Sequence, residues 1–234
     1  MDTVIHKAVI FSRIALPGNR LTRLMNGLRP LTRTGHGKHP THKLLKAKRM
    51  FLFGDSVIFG WALNDEHTMG WLLQDYFRDR WTVRNYAQSG GGSIQGLIKY
   101  RLLRPQLTRD DILIFGYGGY YSARDVAAPS RIRAEAGYVG GLDTTPPIFK
   151  HPRGRLIDGK VEVDFVPLSC QTPEKYCDQP NPPIEQMHSV TSAIFDEIAR
   201  TTPAKLAVLY LSGSDNDSVL IHLKENQIPI IDGW

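Results

Sequence analysis

With 234 residues, 41% of them hydrophobic, the chain is long enough for one generous α/β domain or two small ones, and apolar enough to bury a core. No window approaches the ~20 continuous apolar residues of a membrane span, and "KAVIFSRIAL" breaks at Arg13, so no transmembrane segment or signal peptide is expected and the setting is read as cytoplasmic. The net charge of +6 is uneven, because residues 1–50 carry eleven Lys and Arg against Asp2 alone, a local +10 that leaves −4 for the rest.

Residues 1–48 therefore read as a basic arm and linker, with Gly, Pro, His and Lys in "TGHGKHPTHKLLKAK" and no apolar periodicity. Such an arm can touch anionic lipid or nucleic acid through charge alone. It lacks the interleaved aromatics of a nucleic-acid module, so a solvated extension or lid is the simpler reading and nucleic acid is not an expected partner.

The domain, 49–234, opens with "MFLFG", a short apolar run that suits a strand buried on both faces of a parallel sheet. "TMGWLLQDYFRDR" places Met69, Leu72, Leu73 and Tyr76 on a helical face, "WTVRNYA" is a second strand, and "SIQGLIKYRLLRP" carries Ile94, Leu97, Ile98 and Leu102 along a helix that Pro105 stops. "DDILIFGYGG" is a third strand. From about 120 to 183 the alternation lapses into an insertion, where "GRLIDGKVEVDFVPL" predicts a hairpin turning at Asp158-Gly159 with Val161, Val163 and Phe165 alternating. The pattern returns with a helix bearing Met187, Val190, Ile194 and Ile198, the strand "KLAVLYLSG", a helix with Val219, Leu220 and Leu223, and a fifth strand "IPIID". This order predicts an α/β fold with a five-stranded parallel sheet in a flavodoxin-like three-layer α/β/α arrangement, plus the hairpin insertion. No helix follows the last strand, so one of its faces is expected to be exposed.

Cys170 and Cys177 match neither a CxxC pair nor a zinc spacing, and two unlinked thiols are expected rather than a local disulfide. No HExxH or paired His/Asp cluster suggests a metal, and no cofactor is expected. "QSGGGSIQG" lacks the Lys-Ser/Thr of a phosphate-binding loop.

The chemistry-bearing stretch is "MFLFGDSVIFGWAL". It sets Ser56 in a glycine turn just after a buried strand, where open α/β sheets bind ligands and where outward amides suit an oxyanion. Gly-Asp-Ser by itself also fits an ordinary turn. Together, however, "FGDSVIFGWALNDEHT", "VRNYAQSGGGSIQGL" and "DDILIFGYGGY" resemble, in order and spacing, the first three blocks of the SGNH/GDSL hydrolase superfamily, a likeness covering about 49–231.

The resemblance implies that Ser56 is the nucleophile, that the N–H groups of Ser56 and Gly90 are oxyanion donors, and that Asp55 fixes the turn while Asn85 is structural. Its third block normally supplies an Asn donor. Here Gly116-Tyr117-Gly118-Gly119 stands in that place with Gly118 at the Asn position, and a backbone N–H, Tyr120 or Tyr121 is left to compensate. Its base is a histidine in a late Asp-x-x-His block followed by a helix. Asp232-Gly233-Trp234 matches either the start of that block or simply the end of the fifth strand, and the catalytic histidine is not found in these residues. His188 and His222 read as surface or boundary residues, His67 as a helix cap, and His151 as part of the insertion. Tyr117, Tyr120, Tyr121 and the 137–183 region are expected to line the site. The implied function is hydrolysis or transfer of an acyl ester, of a small molecule, carbohydrate or lipid, through a Ser56 acyl-enzyme. The alternative is an inactive or truncated relative that keeps a ligand pocket.

Overall fold

The computed structural model describes residues 48–138, 150–167 and 176–233, so the basic arm and parts of the insertion lie outside the described residues. Strands β1 (Lys48–Phe53), β2 (Trp81–Asn85), β3 (Ile112–Gly118), β6 (Lys205–Ser212) and β7 (Ile230–Asp232) form one all-parallel sheet in the order β2-β1-β3-β6-β7. That is the flavodoxin-like order, in which the connections run to opposite sides of β1 and open a crevice at the carboxyl ends of β1 and β3.

Helices explain why the central strands are apolar at every position. Met50, Leu52, Ile112 and Ile114 face one way, against Ile58 of α1 (Ser56–Phe59) and Leu73 and Phe77 of α2 (Met69–Phe77). Phe51, Phe53, Leu113 and Phe115 face the other way. They meet Ile94, Leu97 and Tyr100 of α3 (Ser93–Leu103), Val190, Ile194 and Ile198 of α6 (Ile184–Thr201), and Leu220 and Leu223 of α7 (Ser218–Glu225). Each such side chain contributes about 1.5–3 kcal/mol on burial, which is why both faces of the sheet must be covered.

Three expectations change in detail. On α2 the inward residues step by four, Leu73 to Phe77, and Tyr76 is exposed. On α3 it is Tyr100 that packs inward, its hydroxyl on Thr201 Oγ1, while Leu102 points to solvent. Ile231 of β7 is buried beside Ala207 and Leu209 rather than left bare.

Two short helices, α4 (Tyr121–Asp125) and α5 (Pro129–Tyr138), follow β3, and β4 (Lys150–Ile157) and β5 (Lys160–Pro167) form the antiparallel hairpin. Its turn is at Asp158 (φ +51°) and Gly159 (φ +71°), the two left-handed residues of a type I′ connection. Val161 and Val166 are buried but Phe165 is exposed, so the alternation does not run the length of β5. The hairpin lies against the α3–α6 layer, where a side chain at Gly154 would stand 2.9 Å from Val190 Cγ1. Cys177 packs beside Ala127, Ile132 and Val166 and is disulfide-bonded, not a free thiol; Cys170 lies outside the described residues. Spacing rules for redox and zinc pairs are silent on such a structural link. Among the described residues no helix is long and apolar enough to cross a membrane.

Candidate active site

Three loops meet at the carboxyl ends of β1, β2 and β3. The first, Gly54-Asp55-Ser56, turns at Gly54 (φ +153°), where an added Cβ would fall 2.6 Å from Ile58 Cγ1, so only glycine fits. Asp55 caps α1, its Oδ1 accepting from Val57 N (2.9 Å), and Gly60 N–H closes the turn on Ser56 O. Ser56 is thereby held half-buried at the first position of α1. Among the described residues its hydroxyl has no hydrogen-bond partner and its N–H has no acceptor.

The second loop leaves β2 at Asn85, whose amide donates to Ile58 O (3.0 Å) and whose Oδ1 accepts from Ala87 N (3.0 Å), a structural clasp between β2 and α1. Gln88 N donates to Gly54 O (3.0 Å), which lays this loop on the first. Gly90 follows at φ +74°, and its N–H has no acceptor among the described residues. Gly92 N then bonds Gln95 Oε1 (2.8 Å), and α3 begins.

The third loop departs most from expectation. A register irregularity at Tyr117/Gly118 re-aims the end of β3. A side chain at Gly118 would meet Tyr120 Cε1 at 2.8 Å and Ser212 Oγ at 3.0 Å. The space for a side-chain donor at 118 is thus filled by the Tyr120 ring. Tyr120 commits its hydroxyl proton to Asp55 Oδ2 (2.6 Å), while the Tyr121 hydroxyl accepts from Asp55 N (3.0 Å) and so holds the first loop from below. Burial, reinforced by the Asp55 carboxylate, pushes both phenols above their ordinary range. Tyr117, expected to line the site, is instead wholly buried, donating to both carboxylate oxygens of Asp217 at 3.0 and 2.9 Å. Asp55 too is buried, as an anchor beneath the surface.

Sequence reasoning passed over Arg124. Its Nη1 donates to Gly91 O (2.6 Å) and Asp55 Oδ2 (3.2 Å), and its guanidinium lies 4.6 Å from the Tyr120 ring centroid. An arginine inside an irregular insertion carries no periodic signal that would single it out. At the end of α4, Asp125 is fully buried, accepting from Ile94 N (2.8 Å) and Thr191 Oγ1 (2.9 Å); burial outweighs these bonds and raises its pKa to about 6.

None of the four described histidines contacts Ser56. His151 is buried with both ring nitrogens engaged: Nδ1 donates to Pro152 O (2.7 Å), and Nε2 lies 3.4 Å from Gln95 Nε2 and 3.5 Å from Glu135 Oε2. Burial lowers its pKa against the opposing pull of Glu135. His188 Nδ1 contacts Ser218 Oγ, and His222 Nε2 pairs with Asp196 (2.8 Å) between α6 and α7. His67 caps nothing, because Thr68 Oγ1 accepts from Trp71 N (3.3 Å) and is the cap of α2. Among the described residues no three His, Cys, Asp or Glu are grouped to hold a metal ion. Residues of β4 with Tyr176, Gln186 and Val190 line a cavity that includes none of Asp55, Ser56, Gly90, Gly118, Tyr117, Tyr120 and Tyr121.

No family model and no curated protein matches the sequence. Solved structures similar to it include AlinE4, an SGNH-hydrolase family esterase (12% identity, 80% of this chain and 76% of that one, TM-score 0.43). TesA (13%, 78% and 77%, TM-score 0.42) and the psychrotrophic esterase EstA from Pseudoalteromonas sp. (13%, 78% and 75%, TM-score 0.42) are others. Likeness at this level leaves the chemistry to be read from the chain's own residues.

Proposed function

We propose that this chain is a serine hydrolase of the SGNH/GDSL type that cleaves or transfers an acyl ester through Ser56. In the acylation step Ser56 Oγ bonds to the ester carbonyl carbon, its proton passes to a general base, the carbonyl oxygen becomes an oxyanion, and collapse of the adduct expels the alcohol with a proton returned to it. Water, or a second alcohol, then takes the acyl group from Ser56.

One observation carries this reading: among the described residues, a serine hydroxyl without a hydrogen-bond partner stands on a tight turn in the crevice of a 2-1-3-4-5 parallel sheet, beside two N–H groups without an acceptor, its own and that of Gly90. Unpaired amides at such a point are what a developing oxyanion requires. Val57, Phe59 and Trp61, exposed on and just after α1, offer apolar surface beside the serine that suits the acyl portion. Lacking a side-chain donor at 118, the site has one oxyanion contact fewer, and rates are expected about 10²- to 10³-fold below those of a site with all three.

The second reading, a ligand-binding relative without turnover, is favoured by one specific fact, that no described histidine contacts Ser56. Treating the 234-residue chain with a fluorophosphonate probe and mapping the adduct separates the two. Labelling at Ser56 that is lost in Ser56→Ala supports the hydrolase. A parent chain that stays unlabelled, or is labelled elsewhere, leaves the binding-only reading.

A further inference from the structure

We infer that Arg124 is a positioning residue for the oxyanion donors, the one side chain among the described residues that hydrogen-bonds both the tip of the Gly90 loop and the Ser56 turn. The inference rests on the reading above for its consequence in catalysis, but its structural half can be tested without turnover.

Gly91 directly follows one proposed donor and Asp55 directly precedes the other. One nitrogen of Arg124 bonds both, Gly91 O at 2.6 Å and Asp55 Oδ2 at 3.2 Å. An Nη carries two hydrogens in a fixed plane, so both bonds are made at once and the separation of their acceptors is set by one group. The plane itself is fixed, because the guanidinium lies 4.6 Å from the ring of Tyr120 and 5.5 Å from that of Tyr121, with only 13% of the side chain exposed. Its root is equally firm, since the next residue, Asp125, is buried and bonded to Ile94 and Thr191.

Without this clamp no other side chain among the described residues bonds the loop tip to the Ser56 turn, although Gly92 N stays on Gln95 Oε1. Backbone pairing between the two loops ends at Gln88 N to Gly54 O, and from there the chain runs through Ser89 and Gly90 to Gly91, whose own N–H returns to Gln88 O. Successive glycines give that stretch wide conformational freedom. An oxyanion donor must stand about 2.7–3.1 Å from the developing charge, and a misplacement of about 1 Å costs on the order of 10²-fold in rate. Arg124 thus does for this site by constraint what the side chain missing at Gly118 cannot do by direct donation.

The experiment compares the full chain with Arg124→Met and Arg124→Lys by peptide-level amide hydrogen exchange, fluorophosphonate labelling of Ser56 and thermal melting. Exchange is expected to rise in the peptide covering 88–92 and not in β1, β3 or α6. Labelling is expected to slow by about 10²-fold in Arg124→Met, with partial recovery on adding free guanidinium at non-denaturing concentration, which a merely structural lesion would not show. Lys keeps the charge but not the fork, so Arg124→Lys is expected to fold and still loosen the loop, which preserves the test should Arg124→Met fail to fold. Unchanged exchange at 88–92 in either folded variant, or a rise spread evenly over the domain, overturns the inference. If the parent is not labelled, the hydrolase reading fails, and a local rise in exchange still upholds the clamp.

Discussion

Replacing Gly118 by Asn adds a side-chain amide at the place of the missing oxyanion donor, yet it is expected first to destabilise the protein. The new Cβ would lie 2.8 Å from Tyr120 Cε1, 3.1 Å from Tyr120 Cζ and 3.0 Å from Ser212 Oγ. Ser212 can rotate away, but the tyrosine cannot easily do so, because its hydroxyl is bonded to buried Asp55 at 2.6 Å and its ring lies under Arg124. Overpacking of this kind costs about 1–3 kcal/mol. Tyr120→Ala alone is also costly, through a lost bond to a charged group worth about 1.5–3 kcal/mol. In that background, however, the clash at 118 is gone, and Gly118→Asn is expected to cost under about 1 kcal/mol, so the two substitutions couple by about 1–2 kcal/mol with the double variant more stable than additivity requires. Urea denaturation of the parent, both single variants and the double variant, followed by tryptophan fluorescence, measures that coupling. Additive costs within about 0.5 kcal/mol would refute the claim that Tyr120 occupies the space of the missing side chain.

Asp125 gives a pH signature of definite sign. Its folded pKa of about 6 stands above the usual 3.8, so the folded state binds a proton more tightly than the unfolded chain and stability falls as pH rises through that window. Relative to Asp125→Asn, the parent is expected to lose up to about 3 kcal/mol between pH 4 and pH 7 in urea titrations, and a flat difference would contradict it. Asp111 is buried and would be pushed up by that burial, but Arg49, with Nε at 2.9 Å and Nη2 at 2.6 Å, and Thr108 hold its pKa below the ordinary range. Arg49→Met is therefore expected to cost about 3 kcal/mol or more at pH 7 and much less when Asp111 is also changed to Asn, as read in thermal melts of the two variants. At Gly159 nothing lies within 4 Å of an added Cβ, so Gly159→Ala isolates backbone strain at φ +71° and should cost about 1–2 kcal/mol in chemical denaturation, with no added loss from crowding.

How far the fold could be read in advance depended on how repetitive each signal was. Strands such as "MFLF" and "ILIF" carry four apolar residues in succession because helices cover both faces, and a parallel sheet with crossover helices followed from their alternation. The Asp158-Gly159 turn was legible because few residues accept the left-handed conformation that a two-residue hairpin imposes. Helical faces were less certain, because a stripe read at three- and four-residue steps does not say which of Tyr76 or Phe77, Tyr100 or Leu102, meets the sheet. The distinction depends on which helix side the neighbouring strands present.

By itself the sequence determined the local chemistry of the Gly54-Asp55-Ser56 turn, the parallel sheet it ends, and the absence of a side-chain donor at Gly118. Only the tertiary structure decided what fills that place and what holds the loops together. Tyr120, Tyr121 and Arg124 all meet Asp55, across 65, 66 and 69 residues of chain. Contacts at such separations leave no periodic trace in a sequence, since each depends on the close approach of loops that the sheet order alone brings about. For the same reason only the structure could show that His151, His188 and His222 are engaged elsewhere: a histidine's role is set by what its two nitrogens meet, and those partners are fixed by packing.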